Sequence, residues 1–162
     1  MDLIEKIAAA EKIAKSQQEA QERDKRAKEE AILKDQAYRK KNAPVAARQL
    51  MEFIKGEEGR RIISFLEQIE WSIGLGNVWI PSPWWKIGSN GETAHVFLSG
   101  EGLKVSYSIQ KGKGHRSYSV YGSRKGKLSD LVAVCESHKD PYEVLEKIKA
   151  DASAKADELL KK

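Results

Sequence analysis

Residues 94–122 read AHVFLSGEGLKVSYSIQKGKGHRSYSVYG, and the alternation within them decides the fold class. Three β-rich segments, 94–99, 103–110 and 117–122, are separated by Gly-Glu-Gly and by a lysine- and glycine-rich run, which is the pattern of an antiparallel meander. In the middle segment Leu103, Val105, Tyr107 and Ile109 share one face while Lys104, Ser106, Ser108 and Gln110 share the other. One side of the sheet therefore meets a core and the other meets water. With Tyr107 and Tyr118 turned inward, Tyr121 turns outward beside Lys104 and the serines.

Upstream, two short amphipathic helices are expected, one over 44–55 with Leu50, Phe53 and Ile54 inward, and one over 60–71 with Ile62, Ile63, Leu66 and Ile69 inward. Gly74 and Gly76 then introduce Val-Trp-Ile-Pro-Ser-Pro-Trp-Trp at 78–85, which reads as irregular chain. All four tryptophans lie between Trp71 and Trp85. Exposed, such a cluster is a binding platform; buried, it closes a core. The general tendency of Trp points to burial of Trp71 and of one of Trp84 and Trp85.

Downstream, residues 131–136 fit either period, since Leu128, Leu131, Val132 and Cys135 suit a helix while Val132 and Val134 suit a strand. A fourth strand is expected there. Asp140-Pro141 then opens a last helix with Tyr142, Leu145, Ile148, Ala152, Ala156 and Leu159 along one side.

The N-terminal part differs in kind. Residues 2–40 contain neither Gly nor Pro and are dominated by Ala, Glu, Lys, Gln and Arg, a helix-forming composition. Leu3, Ile4, Ile7 and Ile13 give this helix an apolar tip, but residues 15–30 offer only Ala20 and Ala27. A helix that is polar all round over four turns does not lie on a core along its length. Asn42-Ala43-Pro44 reads as its end, because proline disfavours helical geometry at the residue before it. The expected organisation is thus a charged helical arm or coiled-coil segment, 1–42, followed by an α+β domain, 43–162. That domain is a three- or four-stranded antiparallel meander packed by helices.

Composition narrows the function. The chain has 162 residues, 29 Lys plus Arg against 24 Asp plus Glu, and one cysteine. A single Cys closes no intramolecular disulfide, and no apolar run approaches the ~20 residues that a membrane helix needs. Asp2 and Glu5 stand where a secretory signal would carry apolar residues, so a cytoplasmic setting is expected. Nothing nominates an enzyme: there is no Gly-rich phosphate loop before a helix, no G-x-S-x-G and no H-E-x-x-H. Cys135-x-x-His138 is half of a zinc motif without its other half, so neither metal nor cofactor is expected.

Charge placement is the sharpest signal. The window 102–127 holds seven Lys or Arg and no Asp or Glu. Lys104, Lys111, Lys113, Arg116, Arg124, Lys125 and Lys127 lie in or beside the last two strands, and Tyr121 is the outward ring among them. Phosphates bind such clusters by charge neutralisation, and rings can stack unpaired bases. Lysine in solvated turns and on sheet edges also serves simply to prevent aggregation. The reading is a non-enzymatic module for single- or double-stranded nucleic acid. The alternative is a structural or adaptor protein that oligomerises or docks on a protein partner through Leu3, Ile4, Ile7 and Ile13.

Overall fold

A computed structural model describes residues 2–80, 92–111, 114–116 and 118–161. The elements, in chain order, are α1 (Leu3–Lys55), α2 (Glu57–Ile69), β1 (Ile73–Ile80), β2 (Glu92–Ser99), β3 (Gly102–Lys111), β4 (Tyr118–Lys125), α3 (Leu128–Ser137) and α4 (Glu143–Leu160). The fold class is α+β. Its sheet is a four-stranded antiparallel meander in the order β1-β2-β3-β4. Two compact units divide the chain, residues 1–38 and 39–162.

In the first unit, Asp2 and Glu5 cap the helix reciprocally: Glu5 N–H donates to Asp2 Oδ1 at 2.8 Å, and Asp2 N–H donates to Glu5 Oε2 at 3.3 Å. Residues 2–34 are all exposed, as the polar circumference requires.

The helix does not end before Pro44; α1 runs through it to Lys55. Pro44 forgoes one i→i−4 hydrogen bond, but Ala43, Ala46, Ala47, Leu50 and Ile54 form a buried stripe whose phase requires an unbroken helix on both sides. Two further ties hold the turn before it. Tyr142 Oη donates to Asn42 Oδ1 at 2.9 Å, and Arg39 Nη1 donates to Glu136 O at 3.4 Å. Packing outweighs the local preference.

The core joins that stripe to Leu66 of α2, to Ile73, Leu75, Val78, Ala94, Val96, Leu98, Leu103 and Val105 of the sheet, and to Leu131, Val134, Cys135, Val144, Ile148 and Ala152 of the last helices. Residues 131–136, expected as a strand, are instead helical within α3. The helical spacing of Leu131, Val134 and Cys135 buries all three, and Asp130 takes the Lys127 N–H at 2.7 Å to start the helix. The fourth strand comes from the other side of the meander: β1, whose last residues, 78–80, are part of the stretch expected to be irregular, pairs with β2.

One irregularity in β1 decides which side chains reach solvent. Gly74 faces Phe97 and Gly76 faces Val96, so Leu75 is an extra residue, a β-bulge. Leu75 is fully buried beside Ile73 and Val78. The inserted residue shifts the alternation by one, so Asn77 and Trp79 turn to the opposite, exposed face.

Candidate nucleic-acid interface

Register fixes which side chains share the outward face. Toward the end of β1, Trp79 pairs with Thr93, and on the far side of the sheet Tyr121 pairs with Ser108. Thr93 and Ser108 are each one residue on from the Ala94–Tyr107 pair, so the four residues form one row across the sheet. The next row is Asn77, His95, Ser106 and Ser123, and the third is Gly74, Phe97, Lys104 and Lys125. No residue of these rows is buried, whereas their neighbours Val78, Ala94, Val96, Leu98, Leu103 and Val105 all are. The core lies on one face of the sheet, and among the described residues the three rows of the other face stay accessible to solvent.

Trp79 is 66% exposed and Tyr121 is 78% exposed, each on an edge strand. Both rings lie outside the core and are accessible to solvent. Between them the surface is low and hydroxylated, with Thr93, Ser108, Ser106 and Ser123. His95 is fixed in place: its Nδ1–H donates to Asn77 Oδ1 at 3.1 Å, and its ring stacks on Phe97 with centroids 5.6 Å apart and planes inclined by 17°. Gly74 makes room for it, since a Cβ there would stand 3.2 Å from His95 Cε1. At the Lys104 end the surface runs into a hollow of about 470 Å³ lined in part by Glu67, Glu70, Trp71, Phe97 and Glu101.

The basic residues divide by environment. Lys104 and Lys125 are direct cross-strand partners on the outward face; Lys104 Nζ also lies 2.9 Å from Glu101 Oε2, and Lys125 is exposed. Lys127 is exposed beside the start of α3, and Arg116 is exposed in the short 3-10 turn before β4. Lys111 ends β3 opposite Tyr118, and Lys113 lies outside the described residues. Arg124 belongs to the inward face. Its Nη1 and Nη2 donate to Asp130 Oδ2 and Oδ1, both at 2.7 Å, pinning β4 to the start of α3. Burial pushes the Asp130 carboxyl up, but the Arg124 hydrogen bonds, the Lys127 N–H and the two positive charges outweigh it and hold it below its ordinary value. The hydrogen bond to Asp130 in turn raises Arg124.

Two tyrosine and tryptophan expectations need correction. Tyr118 shares the parity of Tyr107 but is 59% exposed, because it pairs with Lys111 in the last row, beyond the buried ones. Trp71 is 37% exposed, with Lys155 Nζ 5.2 Å from its ring centroid rather than a closed core around it. Trp84 and Trp85 lie outside the described residues. Asn77 and Phe97 are not marked by the sequence pattern, and Trp79 enters it only as one of four clustered tryptophans in a stretch read as irregular, because Gly74 and Gly76 suggest a break instead of a bulged strand.

Cys135 is buried, and desolvation pushes its thiol up to about 11. His138 Nε2–H donates to Leu75 O at 2.9 Å, since a carbonyl can only accept. Among the described residues no three His, Cys, Asp or Glu side chains gather as metal ligands, and no helix is long and apolar enough to cross a membrane. Leu3, Ile4, Ile7 and Ile13 are all exposed, between 49% and 78%.

Comparison of the chain with protein families, with curated proteins and with solved structures gives no match.

Proposed function

We propose that this protein is a nucleic-acid-binding module that holds its ligand on the open face of the sheet. The observation that carries this reading is the combination on one solvated face of exposed rings, Trp79 and Tyr121, with Lys104 and Lys125 set directly opposite each other. Like charges placed opposite across two strands are destabilising, and an anion seated between them reverses the sign of that interaction. Rings supply stacking area, lysines neutralise phosphate, and the serines between them donate and accept hydrogen bonds. Arg124 has a structural role in this account and makes no ligand contact.

Affinity for a panel of oligonucleotides measured from about 50 to 200 mM salt tests the reading. Binding that weakens linearly on logarithmic axes is expected, because each phosphate contact releases counterions. Absence of binding at the lowest salt overturns it.

A second reading rests on α1. Leu3, Ile4, Ile7 and Ile13 are exposed apolar side chains at one end of a helix, and burying them against a second copy of the chain or another protein would remove them from water. In this reading the protein assembles through the arm. The two activities are compatible.

A further inference from the structure

Resting on the proposed function, we infer that the ligand is single-stranded, with one unpaired base stacked on Trp79 and another on Tyr121. Both rings lie in the same row, on the two outer strands of a four-stranded sheet. Three strand spacings separate them, about 14 Å. Consecutive bases in a duplex are only ~3.4 Å apart along each strand and cover one another's faces. Rings this far apart on an open sheet therefore meet base faces only where the chain is unpaired and splayed.

The surface between the rings fits the same ligand. Thr93 and Ser108 are small enough to let a backbone pass, and they and the row of Asn77, His95, Ser106 and Ser123 carry donors and acceptors for base edges or sugars. His95 is held by Asn77 and stacked on Phe97, so it is fixed before a ligand arrives. Charge sets the direction of the path. Glu67, Glu70 and Glu101 surround the hollow at the Lys104 end and repel phosphate, whereas Lys125 and Lys127 continue from the sheet along the exposed end of β4. Lys104 lines that hollow and is shared with Glu101, 2.9 Å away, so the strand leaves over β4 with its phosphates toward Lys125.

The experiment uses the full chain with oligo(dT), oligo(U), a duplex of the same length and an uncharged glucan oligosaccharide. Both single strands are expected to bind more tightly than the duplex. Trp79→Ala and Tyr121→Ala each weaken single-strand binding about tenfold, the effect of ~1.4 kcal/mol of stacking, with little change for the duplex. Tyr121→Phe and Trp79→Phe retain most of the affinity, because the ring is what stacks. Both residues are solvent-exposed, so unchanged thermal unfolding certifies the variants. Duplex bound as tightly as single strand, with both alanine variants unaffected, overturns the single-strand inference and leaves nucleic-acid binding standing. No oligonucleotide bound, or the glucan bound in their place without salt dependence, overturns both.

Discussion

Lys104 and Lys125 stand opposite each other across β3 and β4, on the outward face of the sheet. Lys104 has Glu101 within 2.9 Å, but the Glu101 side chain is 77% exposed and screened by water. Lys125→Gln is therefore expected to act with opposite signs on stability and binding. Relief of the repulsion raises stability by a few tenths of a kcal/mol. Loss of one phosphate contact weakens single-strand binding and lowers the salt slope by about 0.7. Denaturant unfolding and a salt titration on the same sample read the two effects.

Arg124 and Asp130 govern a separate property, the dependence of stability on pH. The Asp130 carboxyl titrates lower in the folded chain than in the unfolded one. Its contribution is therefore fully present above the unfolded value, ~3.9, and is lost as pH falls through the folded value. Urea unfolding should show a fall below about pH 4 that is reduced in Asp130→Asn. At pH 7 that variant loses about 2 kcal/mol, less than the ~3–5 for a fully buried pair because the Arg124 side chain is 34% exposed.

Gly76 is expected to govern the bulge. Its φ of 151° is a conformation that side-chain-bearing residues rarely adopt, although a Cβ there would meet nothing nearer than Val134 Cγ1 at 3.6 Å. Gly76→Ala should cost about 1–3 kcal/mol through backbone strain rather than crowding. Because the bulge decides which way Trp79 faces, single-strand affinity falls along with stability, and near-ultraviolet circular dichroism reports the change around the tryptophans.

How much of this was legible in the sequence depends on whether local pattern and tertiary packing agree. Across 103–122 they largely agree: alternation alone places Leu103 and Val105 inward and Lys104 and Tyr121 outward. At β1 they conflict. Strict alternation from Ile73 would put Trp79 in the core, and only the extra residue at Leu75 sends it outward, a property of the pairing with β2 that β1 alone does not reveal. Pro44 misled for a related reason, as a buried stripe on either side of it outweighs its local cost. At 131–136 both periods were present, and burial of Leu131, Val134 and Cys135 together against the sheet selected the helix. The basic cluster was legible as a count. That Arg124 belongs to Asp130 was not, because it depends on β4 meeting the first turn of α3.

Cys135 is expected to be inert in the native protein. Its thiol is buried and pushed up to about 11, so at neutral pH the reactive thiolate is scarce. A thiol-reactive dye should label it slowly under native conditions and rapidly in denaturant. Fast native labelling would mean that α3 opens readily.

Removal of residues 1–38 is expected to leave a cooperatively folding domain, since among the described residues every buried one lies from Ala43 onward. If the arm assembles the protein, light scattering finds the full chain larger than a monomer and the truncated chain monomeric. Single-strand binding by the sheet should survive the truncation. An unfolded truncation would contradict the division at residue 38.

Amide chemical-shift mapping of the full chain with a short single-stranded oligonucleotide locates the ligand on the molecule. The perturbed amides are expected to cluster in three rows across the open face, around Asn77 and Trp79, His95 and Phe97, Lys104 and Ser106, and Tyr121 and Lys125, with α1 and α4 unchanged. Perturbations confined to α1, or none at low salt, would contradict binding on that face.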